Sequence, residues 1–131
     1  MKMEPTPGNV NQTIPTGSRI LMVTSDLMFG SKVDFLARQA GVEFKTVRAT
    51  RLADAEPARG AFALVDMTNM DATAVGQTVE ALRGLGAERV AVFGRHDRMD
   101  LRNAALGAGA AYWWPNSKMA TQMRTLLGLA L

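Results

Sequence analysis

From Arg19 onward the chain alternates short, densely apolar runs with segments whose apolar residues recur every three or four positions, and few architectures can absorb that texture. "RILMVTS" is a continuous apolar run closed by hydroxyls, the pattern of a strand covered on both faces. "KVDFLARQAG" repeats apolar residues at Val33, Leu36, Ala37 and Ala40, a helical spacing, and Gly41 is a natural stop. "VEFKTVRA" reads as a second strand, "RLADAEPARG" as a short segment of ill-defined type, and "AFALVDM" as a third, strongly apolar strand. "DATAVGQTVEALRGLG" reads as a helix with Asp71 or Thr73 as N-cap, "RVAVFG" as a fourth strand and "RMDLRNAALGAG" as a helix. "AYWW" is a fifth strand, and "SKMATQMRTLLGLAL" a closing amphipathic helix capped by Ser117. Strands that alternate with helices require a parallel sheet with helices on both faces, because a right-handed crossover must pack back onto the sheet. The expected fold is therefore a three-layer, doubly wound α/β domain with a five-stranded parallel sheet.

A length of 131 residues with 47% hydrophobic content suits one domain with a full core. Residues 1–18 hold three of the five prolines among polar residues and glycines, so they read as a flexible leader before a single domain spanning 19–131. The absence of cysteine excludes disulfides, thiolate metal sites and cysteine nucleophiles. No apolar stretch has the length of a signal-peptide core or a membrane span, and the expectation is a soluble, cytoplasmic protein without membrane contact. The net charge is +3 and the sequence pI near 9.8, but the basic residues are spread along the chain. No dense basic run marks a nucleic-acid interface.

Ligands of an open parallel sheet collect beyond the carboxyl ends of its strands. That rim receives Thr24, Ser25 and Asp26 from the first strand, Asp66 and Thr68 from the third, Gly94, Arg95 and His96 from the fourth, and Asn116, Ser117 and Lys118 from the fifth. The stretch "FGRHDR" gathers Arg95, His96 and Arg98 near Asp66, a cluster suited to an anion or a nucleotide phosphate, although a lone rim histidine is more often plain surface. "TSDLMFGS" matches neither a dinucleotide nor a P-loop fingerprint. Ser25, His96 and Asp66 lack a nucleophile-elbow pattern, so the chain is not expected to be an enzyme. Asp66 itself has two roles open on the residues alone: metal ligand, or structural carboxylate satisfied by backbone amides.

Taken together, "RILMVTSD", "ALVDM", "VAVFG" and "AALGAGAAYWWPNS" resemble the receiver domain of bacterial two-component response regulators, over residues 19 to about 127. The resemblance implies the CheY-like, flavodoxin-like strand order 2-1-3-4-5 and, in ordinary members, phosphorylation of an aspartate. Asp66 matches that acceptor. The family's acidic pair falls on Thr24 and Ser25, leaving Asp26 as the only carboxylate of its loop; its hydroxyl position is Gly94, and its lysine position is Asn116. Gly94 and Asn116 align without a gap across 22 positions, and Lys118 lies two residues further on. The chain thus resembles a degenerate pseudo-receiver. No cofactor is expected, apart from weak Mg²⁺ binding at Asp26 and Asp66.

"YWW" places three of the eight aromatics side by side. Trp113 matches the family's switch aromatic, while Tyr112 and Trp114 alternate to the opposite face. Either all three fill the core, or Trp113 anchors an interface. Met119 and Met123 are similarly divided between core filling and an adaptable contact face. The leading expectation is a phosphorylation-independent interaction or signalling module that acts through a protein partner, with a homodimer as one form of that contact. The alternatives are a phosphorylatable receiver using Asp66, and a small-molecule or anion binder at the rim.

Overall fold

The computed structural model describes residues 13–130. Its elements run β1 (Arg19–Val23), α1 (Leu27–Ala40), β2 (Glu43–Val47), a 3₁₀ helix (Ala49–Asp54), β3 (Phe62–Asp66), α2 (Ala72–Gly84), β4 (Arg89–Gly94), α3 (Met99–Gly107), β5 (Tyr112–Pro115) and α4 (Asn116–Leu126). All five strands are parallel, in the order β2-β1-β3-β4-β5. The doubly wound fold and its strand order are those expected. Strand alternation sorts the core into two layers. Ile20, Met22, Phe62, Leu64, Ala91, Phe93, Tyr112 and Trp114 face α1 and α4, whereas Leu21, Val23, Ala63, Val65, Val90 and Val92 face the 3₁₀ helix, α2 and α3.

Several local expectations need correction. Helix α1 starts at Leu27, a full turn before the periodic stretch, because the Asp26 side chain caps it by accepting from the amides of Met28 and Phe29. Of the two cap candidates for α2, Asp71 serves, accepting from the Ala74 amide at 2.8 Å. Ser117 does not cap α4: the helix begins at Asn116 with Pro115 in the cap position, and no side chain bonds the first turn. Proline supplies the extended φ that a chain needs on entering a helix, so the start is set by backbone geometry.

The leader boundary also moves. Residues 1–12 lie outside the described residues, but the segment 13–18 is anchored to the domain: Ile14 is buried in the α1–α4 layer and its amide donates to the Leu126 carbonyl at 2.6 Å. The Ser18 carbonyl accepts from the Glu43 amide at 2.9 Å, which ties the segment to β2. One isoleucine in a polar stretch is a weak sequence signal, yet burying such a side chain is worth about 1.5–3 kcal/mol.

Candidate functional site

Register assembles the site. Val23 pairs with Val65 across β1 and β3, so the next residues, Thr24 and Asp66, emerge side by side on the same face. The Thr24 hydroxyl donates to Asp66 Oδ2 at 2.9 Å, and the Thr68 amide donates to Oδ1 at 2.9 Å. The Asp26 amide in turn donates to Thr24 Oγ1 at 2.9 Å, fixing the rotamer that serves Asp66. Directly across on β4 lies Phe93, against whose ring Phe29 stands edge-on at 5.1 Å. Asp66 is only 4% exposed. A carboxylate so enclosed requires hydrogen-bond donors, and it has one on each oxygen.

The same register carries Met67 to Gly94. The Met67 amide donates to the Phe93 carbonyl at 3.0 Å, and the buried side chain then crosses the glycine. A Cβ at position 94 would meet Met67 Cε at 2.7 Å and Met67 Cβ at 3.3 Å. Thus the methionine occupies the volume that a hydroxyl side chain would need. Sequence inspection alone overlooked Met67. Its signal was the pairing of a long side chain after the aspartate with glycine at the facing position.

The rim residues do not form one cluster. Asp66 lines a hollow of about 280 Å³ with Thr24, Ser25, Arg48, Thr68 and Asn69. Arg95, Arg98 and Asn116 line another, of about 480 Å³, with Met67 and Leu101. His96 is exposed and lines neither. The expected cationic cluster beside Asp66 is also neutralised within its own loop. Arg95 forks onto Asp97 at 3.1 and 2.7 Å, and Arg98 forks onto Asp100 at 3.0 Å on both oxygens. These hydrogen bonds hold both carboxyls below their ordinary range, and Asp100 raises the Arg98 guanidinium above its own.

Asn116 opens α4 and Lys118 follows in its first turn; both are exposed. Asp26 sits at the edge of the site with Oδ1 already committed to two amides. Among the described residues, no group of three or more histidine, aspartate or glutamate side chains is placed to hold a metal ion. A hard cation requires several anionic or carbonyl oxygens converging on one point, and the Thr24–Ser25 pair supplies no anion. The residues present do not fit a receiver-type magnesium centre.

The "YWW" triplet divides as strand alternation requires. Tyr112 and Trp114 are buried in the α1–α4 layer and stacked at 5.6 Å, while Trp113 is half-buried against the opposite layer. Met119 and Met123 are fully buried beside Trp114, which makes them core. Among the described residues, no helix is long and apolar enough to cross a membrane.

Neither protein-family models nor curated protein sequences match this chain. Solved structures do. A response regulator receiver protein from Burkholderia phymatum superposes with a TM-score of 0.62 at 21% identity, covering 86% of this chain and 97% of its own. The chemotaxis response regulator CheY4 of Vibrio cholerae gives a TM-score of 0.68 at 20% identity, over 85% and 96%. The receiver domain of a Pseudomonas aeruginosa sensor histidine kinase, solved with magnesium in its active-site cleft, gives 0.56 at 15% identity, over 84% and 97%. The chain has the receiver fold.

Proposed function

We propose that this domain is a pseudo-receiver, a signalling module that works by protein contact without phosphoryl transfer. The observation that carries the reading is the state of Asp66, a buried side chain at the wall of its hollow whose two oxygens already accept from Thr24 and Thr68. Transfer of a phosphoryl group to a carboxylate requires an open approach, a cation to gather the negative oxygens, and preorganised donors for the developing charge. At the corresponding positions stand Thr24, Ser25, a methionine lying over Gly94, and Asn116. Mg²⁺ binding is weak on this reading, since Asp66 accepts a protein donor on each oxygen and Asp26 already accepts two amides on Oδ1. A Ser25–His96–Asp66 relay has no support, because a relay needs its members hydrogen-bonded to one another.

Acetyl phosphate or beryllofluoride with Mg²⁺ tests the reading. Intact mass and amide spectra should stay unchanged, and a stoichiometric adduct on Asp66 would overturn it. The half-buried Trp113 is the contact residue we favour on the α3–β5 side. Trp113→Ala should weaken association with a partner or with itself at little cost in stability, whereas Trp114→Ala should cost about 3–5 kcal/mol. Equal, severe destabilisation by both substitutions removes Trp113 from the interface.

A further inference from the structure

Three of the four crossovers of the sheet carry α-helices, of 14, 13 and 9 residues. The crossover from β2 to β3 carries instead a 3₁₀ helix of six residues, Ala49–Asp54, followed by irregular backbone over residues 55–58. A 3₁₀ helix of that length spans about 12 Å, against about 17 Å for a strand of five residues, so it covers only part of the β1–β2 face. The burial of β1 locates the gap: Leu21 is 7% exposed where Val23, two residues on and on the same face, is 1% exposed. A cavity of about 190 Å³ lies there, lined by Leu21 and Val47 from the sheet and by Ala55, Pro57 and Ala58 from the crossover. Arg19, Lys45 and Glu56 supply its charges. Arg19 Nη2 donates to the Pro57 carbonyl at 3.1 Å, which fastens the wall to β1. Lys45 Nζ stands 3.7 Å from Glu56 Oε2, with both side chains more than half exposed.

We infer that this cavity binds a small cyclic monocarboxylate of the size of benzoate. Volume sets the body of the ligand, since an apolar cavity of about 150 Å³ is enough to hold benzene. Water held against Leu21, Val47, Ala55 and Ala58 meets few polar partners, so an apolar ring displaces it favourably. Charge sets the head group. Two cations face one carboxylate, and the Lys45–Glu56 contact is longer than the 2.7–2.9 Å or so of a charge-assisted hydrogen bond and open to solvent, so an incoming carboxylate can replace Glu56 at Lys45. Arg19 keeps further N–H donors beyond the one spent on Pro57. A protonated amine would meet Arg19 and Lys45 as like charges. Neither Asp66 nor Trp113 lines this cavity, so the phosphodonor and interface results are independent of what it binds.

The test titrates the full chain with benzoate, cyclohexanecarboxylate, benzyl alcohol, benzylamine and acetate, followed by amide shifts. Both cyclic carboxylates should saturate with a Kd of about 1 mM or below, ordinary for a ligand of about nine heavy atoms, with shifts centred on β1, β2 and residues 55–58. Benzyl alcohol should bind about tenfold more weakly, and benzylamine and acetate should not saturate. Ala55→Leu fills the cavity from its wall and should abolish binding of every ring compound. Lys45→Gln should weaken the carboxylates to the level of benzyl alcohol and leave benzyl alcohol unchanged, a pattern that general destabilisation would not produce. Ala55 is half-buried and Lys45 exposed, and thermal melts verify that both variants fold. Carboxylate binding that survives Ala55→Leu overturns the inference, as does the lack of saturation by either cyclic carboxylate. Acetate or benzylamine binding as tightly as benzoate, or a carboxylate preference unchanged in Lys45→Gln, overturns it equally.

Discussion

The loops that follow β3 and β4 stand side by side on the rim and handle charge in opposite ways. At the end of β3 the Asp66 carboxylate is enclosed and receives a donor on each oxygen. After β4 four charged residues stand in water and pair two apart, Arg95 with Asp97 and Arg98 with Asp100. A buried charge without partners is costly, whereas an exposed ion pair adds little, because solvent screens it and its side chains lose freedom in pairing. One enclosed carboxylate therefore constrains the fold more than the four charges beside it. It also gives Thr24 its role, because its hydroxyl satisfies one of the two oxygens of that carboxylate.

The largest effect should come from the apolar plug of the β3 loop. Met67→Ala removes a buried side chain and should cost about 2–5 kcal/mol in urea denaturation. Gly94→Thr forces a side chain into the same space and should cost about 1–3 kcal/mol. Combining them should cost less than the sum of the two, because the alanine vacates the volume that the threonine fills. Strict additivity would show that Met67 is not what excludes a hydroxyl at position 94.

A smaller loss follows from the hydrogen bond to Asp66. Thr24→Val keeps the shape and deletes the donor, leaving Oδ2 without its partner at a cost of about 1–3 kcal/mol. Thr24→Asp sharpens the comparison further. It places two carboxylates together, so the variant should be less stable than the parent in a chelator and should recover on addition of Mg²⁺, which the parent should not. A Thr24→Val variant as stable as the parent would mean that Asp66 is satisfied by other means, and the contrast between the loops would lose its basis.

The two loops were unequally legible in the sequence. The fold was readable because apolar periodicity is local, and the same alternation placed Trp113 and Trp114 on opposite faces. Asp66, Thr24 and Gly94 were identified as candidates, but the bond between the first two depends on register between β1 and β3, which no local pattern encodes. The Met67–Gly94 contact depends likewise on β3–β4 register. The ion pairs of Arg95 and Arg98 were not foreseen for a related reason. Counting cations in "FGRHDR" ignored acids two residues on from each arginine, whose side chains fold back within the loop. Ile14 was missed because one apolar residue in a polar stretch has no period to reveal it.

The smallest expected effect is therefore the most pointed. Arg95 and Arg98 hold the Asp97 and Asp100 carboxyls below their ordinary range, so each pair stabilises the fold above that range and ceases to as pH falls through the lowered value. The double variant Asp97→Asn with Asp100→Asn lacks the pairs at every pH. Any gap between parent and variant should consequently be small at neutral pH and close as the solution is acidified. We expect superimposable melting curves at neutral pH, because all four groups are solvent-exposed or nearly so. What should change is the surface: two guanidiniums released from their carboxylates should attract sulfate, seen as amide shifts around Arg95 and Arg98 that the parent does not show. A marked fall in stability would make the loop charges structural and erase the difference between the two regions. Sulfate shifts of equal size in the parent would show that the pairs do not neutralise the rim, and would return the anion-binding alternative to the hollow lined by Arg95, Arg98 and Asn116.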